Sequence, residues 1–72
     1  MKGIEDMVVA TYKSKSKAQP EQIRIHKYSD NKLRVEAIGN SYAREVGGVY
    51  DTLEQVEQYL DKRDAFGYIK TN

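Results

Sequence analysis

Two stretches of alternating polar and apolar residues, Gln22 to Tyr28 and Lys32 to Ile38, are separated only by Ser29-Asp30-Asn31. Side chains alternate between the faces of a strand, so each stretch reads as a half-buried strand and the pair as a hairpin. The same pattern sets the pairing. A two-residue turn at Asp30-Asn31 would put His26 opposite Val35 and Ile25 opposite Glu36, mixing polar with apolar on both faces. A three-residue loop instead pairs Ile25 with Val35, Ile23 with Ala37 and Arg24 with Glu36, which separates a dry face from a wet one. The three-residue loop is therefore expected, with Asn31 in the left-handed conformation that it needs.

The flanking chain extends this hairpin. Met7 to Tyr12 is short and β-branched and reads as a first strand. Residues 13–20, Lys-Ser-Lys-Ser-Lys-Ala-Gln-Pro, hold nothing that packs a core and read as a mobile loop. Gly39-Asn40-Ser41 makes a second turn and Tyr42 to Tyr50 a fourth strand, with Glu36 facing Arg44 and Ile38 facing Tyr42. That register points Glu45 inward and Val46 outward, and Gly47-Gly48 supplies a bulge to re-aim the strand.

A helix follows. Asp51…Glu54 and Thr52…Gln55 both fit a capping box, so either Asp51 or Thr52 starts it. Leu53, Val56 and Leu60, with Tyr59 at the margin, form one apolar stripe, and the helix should end near Arg63 or Asp64. Phe66 to Lys70 is either a short last strand or a tail packed on the helix. The expected fold is α+β: a four-stranded antiparallel meander with one helix on its dry face, in one small domain spanning residues 1–72.

Several function classes are hard to fit into such a chain. Its 72 residues are too few for two domains of ordinary size, and a core this thin leaves little room for a deep catalytic pocket. Twelve Lys and Arg nearly cancel eleven Asp and Glu, so a net charge of +1 exerts no global pull on nucleic acid or an anionic membrane. Cysteine is absent, which removes disulfides and thiolate metal sites. Met1 to Asp6 lacks the apolar stretch of a secretory signal. The longest apolar run, Met7 to Ala10, is far short of the roughly 20 residues that span a bilayer. The expected location is the cytoplasm, without a membrane partner.

Catalytic constellations are scarce. His26 is the single histidine and reads as an exposed structural residue beside Arg34, with nothing to place a serine and a carboxylate around it. One histidine and scattered carboxylates have no metal-ligand spacing. Gly47-Gly48 lies inside a strand rather than before a helix, unlike a phosphate-cradling loop. No catalytic residue, metal or cofactor is expected, and the chain is not expected to be an enzyme.

Six tyrosines are the compositional oddity. Tyrosine has a rigid apolar body and a polar tip, which suits protein interfaces, base stacking and small cores alike. Tyr50 and Tyr59 are assigned to packing. The outer hairpin face carries Arg24–Glu36, His26–Arg34 and Tyr28–Lys32, with Tyr42 and Arg44 on the next strand. An uncovered face of this kind serves as a recognition surface or as an ordinary solvated face.

The run Asn31-Lys32-Leu33-Arg34-Val35-Glu36, a Gly-Asn turn, a strand, and Tyr50-Asp51-Thr52-Leu53-Glu54-Gln55-Val56-Glu57 resemble the small phage anti-CRISPR proteins that block the type I-F surveillance complex. The resemblance covers roughly residues 23–61. It implies an α+β sheet-and-helix fold bound to the crRNA-carrying backbone subunits through tyrosines and a glutamate of the sheet. By position Tyr28 and Glu36 match the family's hairpin tyrosine and the glutamate after Arg-Val, and Tyr12 stands for an amino-terminal tyrosine. The 13–20 loop and the Gly47-Gly48 pair depart from the family's pattern. The expectation is a phage or mobile-element inhibitor that binds a host protein or nucleoprotein complex. Its anchors would be Tyr12, Tyr28, Arg34, Glu36 and Tyr42, with Lys13, Lys15, Lys17, Arg24 and Arg44 as electrostatic contacts. The alternatives are a nucleic-acid-binding module stacking bases on Tyr28 and Tyr42, and a domain that self-associates through its sheet edge.

Overall fold

The period-two pattern becomes a sheet in the computed structural model, which describes residues 7–18, 20–64 and 67–71. The elements are β1 (Met7–Ser14), β2 (Gln22–Lys27), β3 (Leu33–Ile38), β4 (Ala43–Tyr50), α1 (Leu53–Arg63) and β5 (Tyr68–Lys70). The strands form one antiparallel sheet in the order β4-β3-β2-β1-β5. The fold is therefore α+β, a meander of four strands extended by a short fifth. The fifth strand decides between the two readings of the chain after the helix: β5 pairs with β1, Tyr12 opposite Lys70 and Ser14 opposite Tyr68. Met1 to Asp6, read above for a targeting signal, and Phe66, the expected start of the last strand, lie outside the described residues.

The central hairpin has the register that its pattern requires. Ile25 faces Val35, Ile23 faces Ala37 and Arg24 faces Glu36. The connection closes when the Asn31 amide donates to the Tyr28 carbonyl at 2.9 Å and the Tyr28 amide to that of Lys32 at 3.1 Å. Asn31 takes φ 64°, and the Asp30 carboxylate accepts from the Lys32 amide at 2.9 Å. Asparagine tolerates the left-handed region better than most residues, and the neighbouring Asp30 carboxylate braces the same turn.

The second hairpin differs from expectation by one residue. The Gly39 amide donates to the Tyr42 carbonyl at 2.9 Å, so only Asn40-Ser41 form the turn. Glu36 then opposes Glu45, not Arg44, and Ile38 opposes Ala43, not Tyr42. This register removes the conflict that the longer turn created: Val46 lies on the dry face opposite Val35, and Glu45 points to solvent. The irregularity does fall at Gly47-Gly48, which sit between the Val35–Val46 and Arg34–Val49 pairs without a partner on β3. Two extra residues preserve parity, so Tyr50 returns to the dry face. Gly47 has φ 71°, and a Cβ there would stand 2.8 Å from the Tyr50 hydroxyl.

The first strand is longer than its β-branched run. Lys13 and Ser14 continue the ladder of β1, and Ser14 is buried at 8% exposure, where Asp64 at the end of α1 accepts its hydroxyl at 3.2 Å. The loop therefore begins two residues later than expected.

Of the two candidate caps, Thr52 is the one used: its hydroxyl accepts from the Gln55 amide at 3.2 Å, and the Gln55 side chain accepts from the Asp51 amide at 2.8 Å. The Lys32 ammonium pairs with Asp51 just before it. The stripe of α1 buries Val56 and Leu60 on Ala10, Tyr12, Ile23, Ile25, Leu33, Val35 and Ala37, with Val46, Leu53, Tyr50 and Tyr59 at the margin. Each fully buried aliphatic side chain contributes on the order of 1.5–3 kcal/mol. All of this packing lies on one face, so the other face of the sheet stays open.

Candidate functional site

The open face is ordered by cross-strand pairing into rows. One row runs Val8, His26, Arg34 and Val49 from β1 to β4, and the next runs Thr11, Arg24, Glu36 and Glu45. Tyr28 stands at the end of β2 beside the first row. The Arg34 guanidinium lies 4.4 Å from the centre of the Tyr28 ring, a distance at which a cation is attracted to the aromatic face. Asp30 holds it there through a fork, with oxygens 3.0 Å and 3.4 Å from the two terminal nitrogens. Hydrogen bonding to Arg34 lowers the Asp30 carboxyl below its ordinary value, and the same bond raises the already basic Arg34. Both ions therefore stay charged across the physiological range.

Beside them the His26 imidazole and the Glu36 carboxylate meet at 2.9 Å. His26 is less open than its sequence position suggested, at 17% side-chain exposure, because it sits between Glu36 and the Tyr28 ring, whose centre is 6.5 Å away. Tyr28, Arg34, Glu36, Ala43 and Glu45 line a shallow hollow of about 280 Å³. Such a hollow suits the tip of a partner side chain rather than a sequestered substrate.

Three of the five expected anchors, Tyr28, Arg34 and Glu36, come together on this face. Tyr12 does not. It is 4% exposed on the opposite face, among the core residues beneath α1, and its hydroxyl donates to Glu57 at 2.9 Å. Burial and that bond raise its phenol well above the ordinary range. The two-residue turn turns Tyr42 away as well: its ring lies against Gly39 on the helix side and its hydroxyl donates to Glu21 at 2.6 Å. Arg44 follows it, opposite the dry-face residue Ala37 and 5.3 Å from the centre of the Tyr42 ring. Arg24 is on the open face. Lys13 shares that face opposite Gln22, and Lys15 and Lys17 are exposed in the loop beyond it. Tyr50 and Tyr59 pack together at 5.9 Å between ring centres.

Sequence reasoning missed Glu21 and Asp30. Glu21 accepts from Arg63, Tyr42 and Tyr68, and these bonds pull its carboxyl down to about 2. Its parity with Ile23 was the available signal, since an acid in step with the dry face of a strand requires a partner. Asp30 was read as a turn former alone, although Arg34 stands four residues on.

Among the described residues no helix is long and apolar enough to cross a membrane. Comparison with known proteins finds no family model that matches the chain, and no match among curated proteins or solved structures.

Proposed function

We propose that the chain is a small non-enzymatic protein-binding module, an inhibitor of phage or mobile-element origin that binds a host nucleoprotein complex through the open face of its sheet. The observation that carries this reading is the cluster of Tyr28, Arg34 and Glu36 on a face that the helix leaves uncovered, around a hollow of about 280 Å³. Tyrosine and arginine are the side chains that dominate binding at protein interfaces, and here they are held in place before a partner arrives. Tyr28 and Glu36 are also the residues that the anti-CRISPR resemblance matches. That resemblance makes the crRNA-carrying subunits of a type I-F surveillance complex the target, encountered in the host cytoplasm. Lys13, Lys15 and Lys17, exposed at the far end of the sheet, suit steering toward an RNA-bearing complex.

Direct stacking of bases on Tyr28 and Tyr42 fits less well. The two rings belong to opposite faces, Arg34 already occupies the Tyr28 ring, and Glu36 opposes Glu45 in the middle of the surface.

The experiment is target-DNA binding by a purified type I-F surveillance complex, with and without the protein. Loss of DNA binding at near-stoichiometric protein is expected. Unchanged DNA binding, with no association between protein and complex, contradicts the target. Binding of the isolated protein to nucleic acid, with affinity that falls steeply as salt rises, would move the reading to the nucleic-acid module.

A further inference from the structure

The open face is complementary to itself. Val8 and Val49 stand at its two flanks, 41% and 53% exposed, in the row whose centre is His26 and Arg34. In the next row a cation, Arg24, and an anion, Glu36, occupy the two central strands, with Thr11 and Glu45 outside them. A two-fold axis parallel to the strands, lying under this face between β2 and β3, keeps each row at its own level and reverses its order. Val8 then lies over Val49 of the second copy, Arg24 over Glu36 of the second copy, and Thr11 over Glu45 of the second copy. Apolar meets apolar, and opposite charges meet next to the axis. That is where the roughly 30° twist between stacked sheets displaces side chains least.

We propose that two copies of this chain associate back to back through their open faces as a two-fold dimer, the Arg24 of each meeting the Glu36 of the other. Stacked sheets lie about 10 Å apart, a gap that an arginine and a glutamate bridge from opposite sides. By the same operation Arg34 lies over His26 of the second copy. Arg34 is already neutralised by its fork to Asp30 and stacked on Tyr28, and His26 is joined to Glu36, so the two do not meet as bare cations. The dimer stands independently of the inhibitor reading. It covers the face that reading assigns to the host partner, so self-association and partner capture exclude one another.

Sedimentation of the purified chain over a range of concentrations tests this, with circular dichroism to verify that each variant is folded. The wild type is expected to move from the chain mass to twice that mass as concentration rises. Arg24→Glu places Glu against Glu across the axis and Glu36→Arg places Arg against Arg, so each alone should lose the dimer. Mixed together they should regain it, because both contacts between positions 24 and 36 then join opposite charges. The cross-strand pairing of Arg24 with Glu36 inside one chain cannot produce that rescue, since each variant chain carries two like charges. Val49→Lys removes the apolar contact without touching the charge pair and should also lose the dimer. A wild type that stays monomeric throughout overturns the proposal. So does a dimer that survives the single variants, which would point to pairing along a strand edge, and so does a mixture that remains monomeric.

Discussion

Glu21 and Arg63 are joined at 2.9 Å and 3.2 Å, from the guanidinium Nη2 and Nε to the two carboxylate oxygens, tying the residue before β2 to the last residue of α1. Glu21 is only 10% exposed and Arg63 22%. The same carboxylate takes the hydroxyls of Tyr42 at 2.6 Å and Tyr68 at 2.7 Å, and Arg63 also donates to the Tyr59 hydroxyl at 3.2 Å. One acid thus fastens the second turn, the helix end and β5 to the same end of the sheet. Arg63, which suits the helix dipole by position, is spent on this contact instead.

Removing the charge at Glu21 should therefore loosen the whole end. Glu21→Gln is expected to cost about 2 kcal/mol at neutral pH, the scale of hydrogen bonds to a charged group. The pH dependence has a definite sign. A carboxylate held below its unfolded value contributes stability that is complete above that value and lost as pH falls toward the folded one. Glu21 is lowered from 4.5 to about 2, so the wild type should lose this contribution between those two pH values. Denaturant melts at several pH values should show Glu21→Gln losing less stability than the wild type over that interval. An equal loss would contradict the role.

Three of the phenols should resist alkali. Tyr12 and Tyr68 are raised mainly by burial and then by their bonds to Glu57 and Glu21, and Tyr42 is raised mainly by its bond to Glu21. A raised phenol contributes stability below its unfolded value of 10.0 and loses it as pH climbs past that value. Spectrophotometric titration of the phenolate band should find three tyrosines ionising late and with unfolding. Tyr12, Tyr42 and Tyr68 ionising near the ordinary value would contradict these contacts.

The paired glycines should prove unequal. Gly47 has φ 71° and the Tyr50 hydroxyl where a side chain would go, whereas a Cβ at Gly48 meets nothing. Gly47→Ala is expected to cost at least about 1–2 kcal/mol from the left-handed backbone alone, before any clash. Gly48→Ala should change the thermal midpoint little. Equal effects would mean that the bulge is not held as described.

At the first turn, Asn31→Gly should be tolerated and Asn31→Val should cost about 1–2 kcal/mol, since a β-branched residue resists φ 64°. Thermal midpoints of the two variants are sufficient to check this.

The central hairpin was legible because both of its strands bury one face, so a slip of one residue exchanges every inward side chain for an outward one. The second hairpin was not legible to the same depth. β4 is largely exposed at an edge, with burial at Val46 and Tyr50 only partial, and two unpaired glycines divide it, so its pattern constrains the register weakly. That single-residue error carried Tyr42 and Arg44 to the wrong face. Tyr12 was misassigned for a different reason: tyrosine's polar tip is compatible with an interface or a core, and only Glu57 on the helix makes the buried position satisfied. Tyr28, Arg34 and Glu36 needed no more than the first register to be grouped. The fork from Asp30 that fixes Arg34 over the ring follows from turn geometry, which alternation does not report.

The tyrosines divide by face: Tyr12 is buried in the fold and bonded to Glu57, and Tyr28 stands on the open face, where the proposed function assigns it to recognition. The most direct measurement takes Tyr28→Ala and Tyr12→Phe through the same two assays, thermal unfolding and capture of the purified type I-F surveillance complex. Tyr28→Ala should keep its midpoint near that of the wild type and lose capture. Tyr12→Phe should melt earlier, by the roughly 1–2 kcal/mol of a lost hydroxyl bond, and still capture the complex while folded. A Tyr28→Ala protein that captures the complex as well as the wild type, or that loses capture only because it unfolds, would contradict the claim.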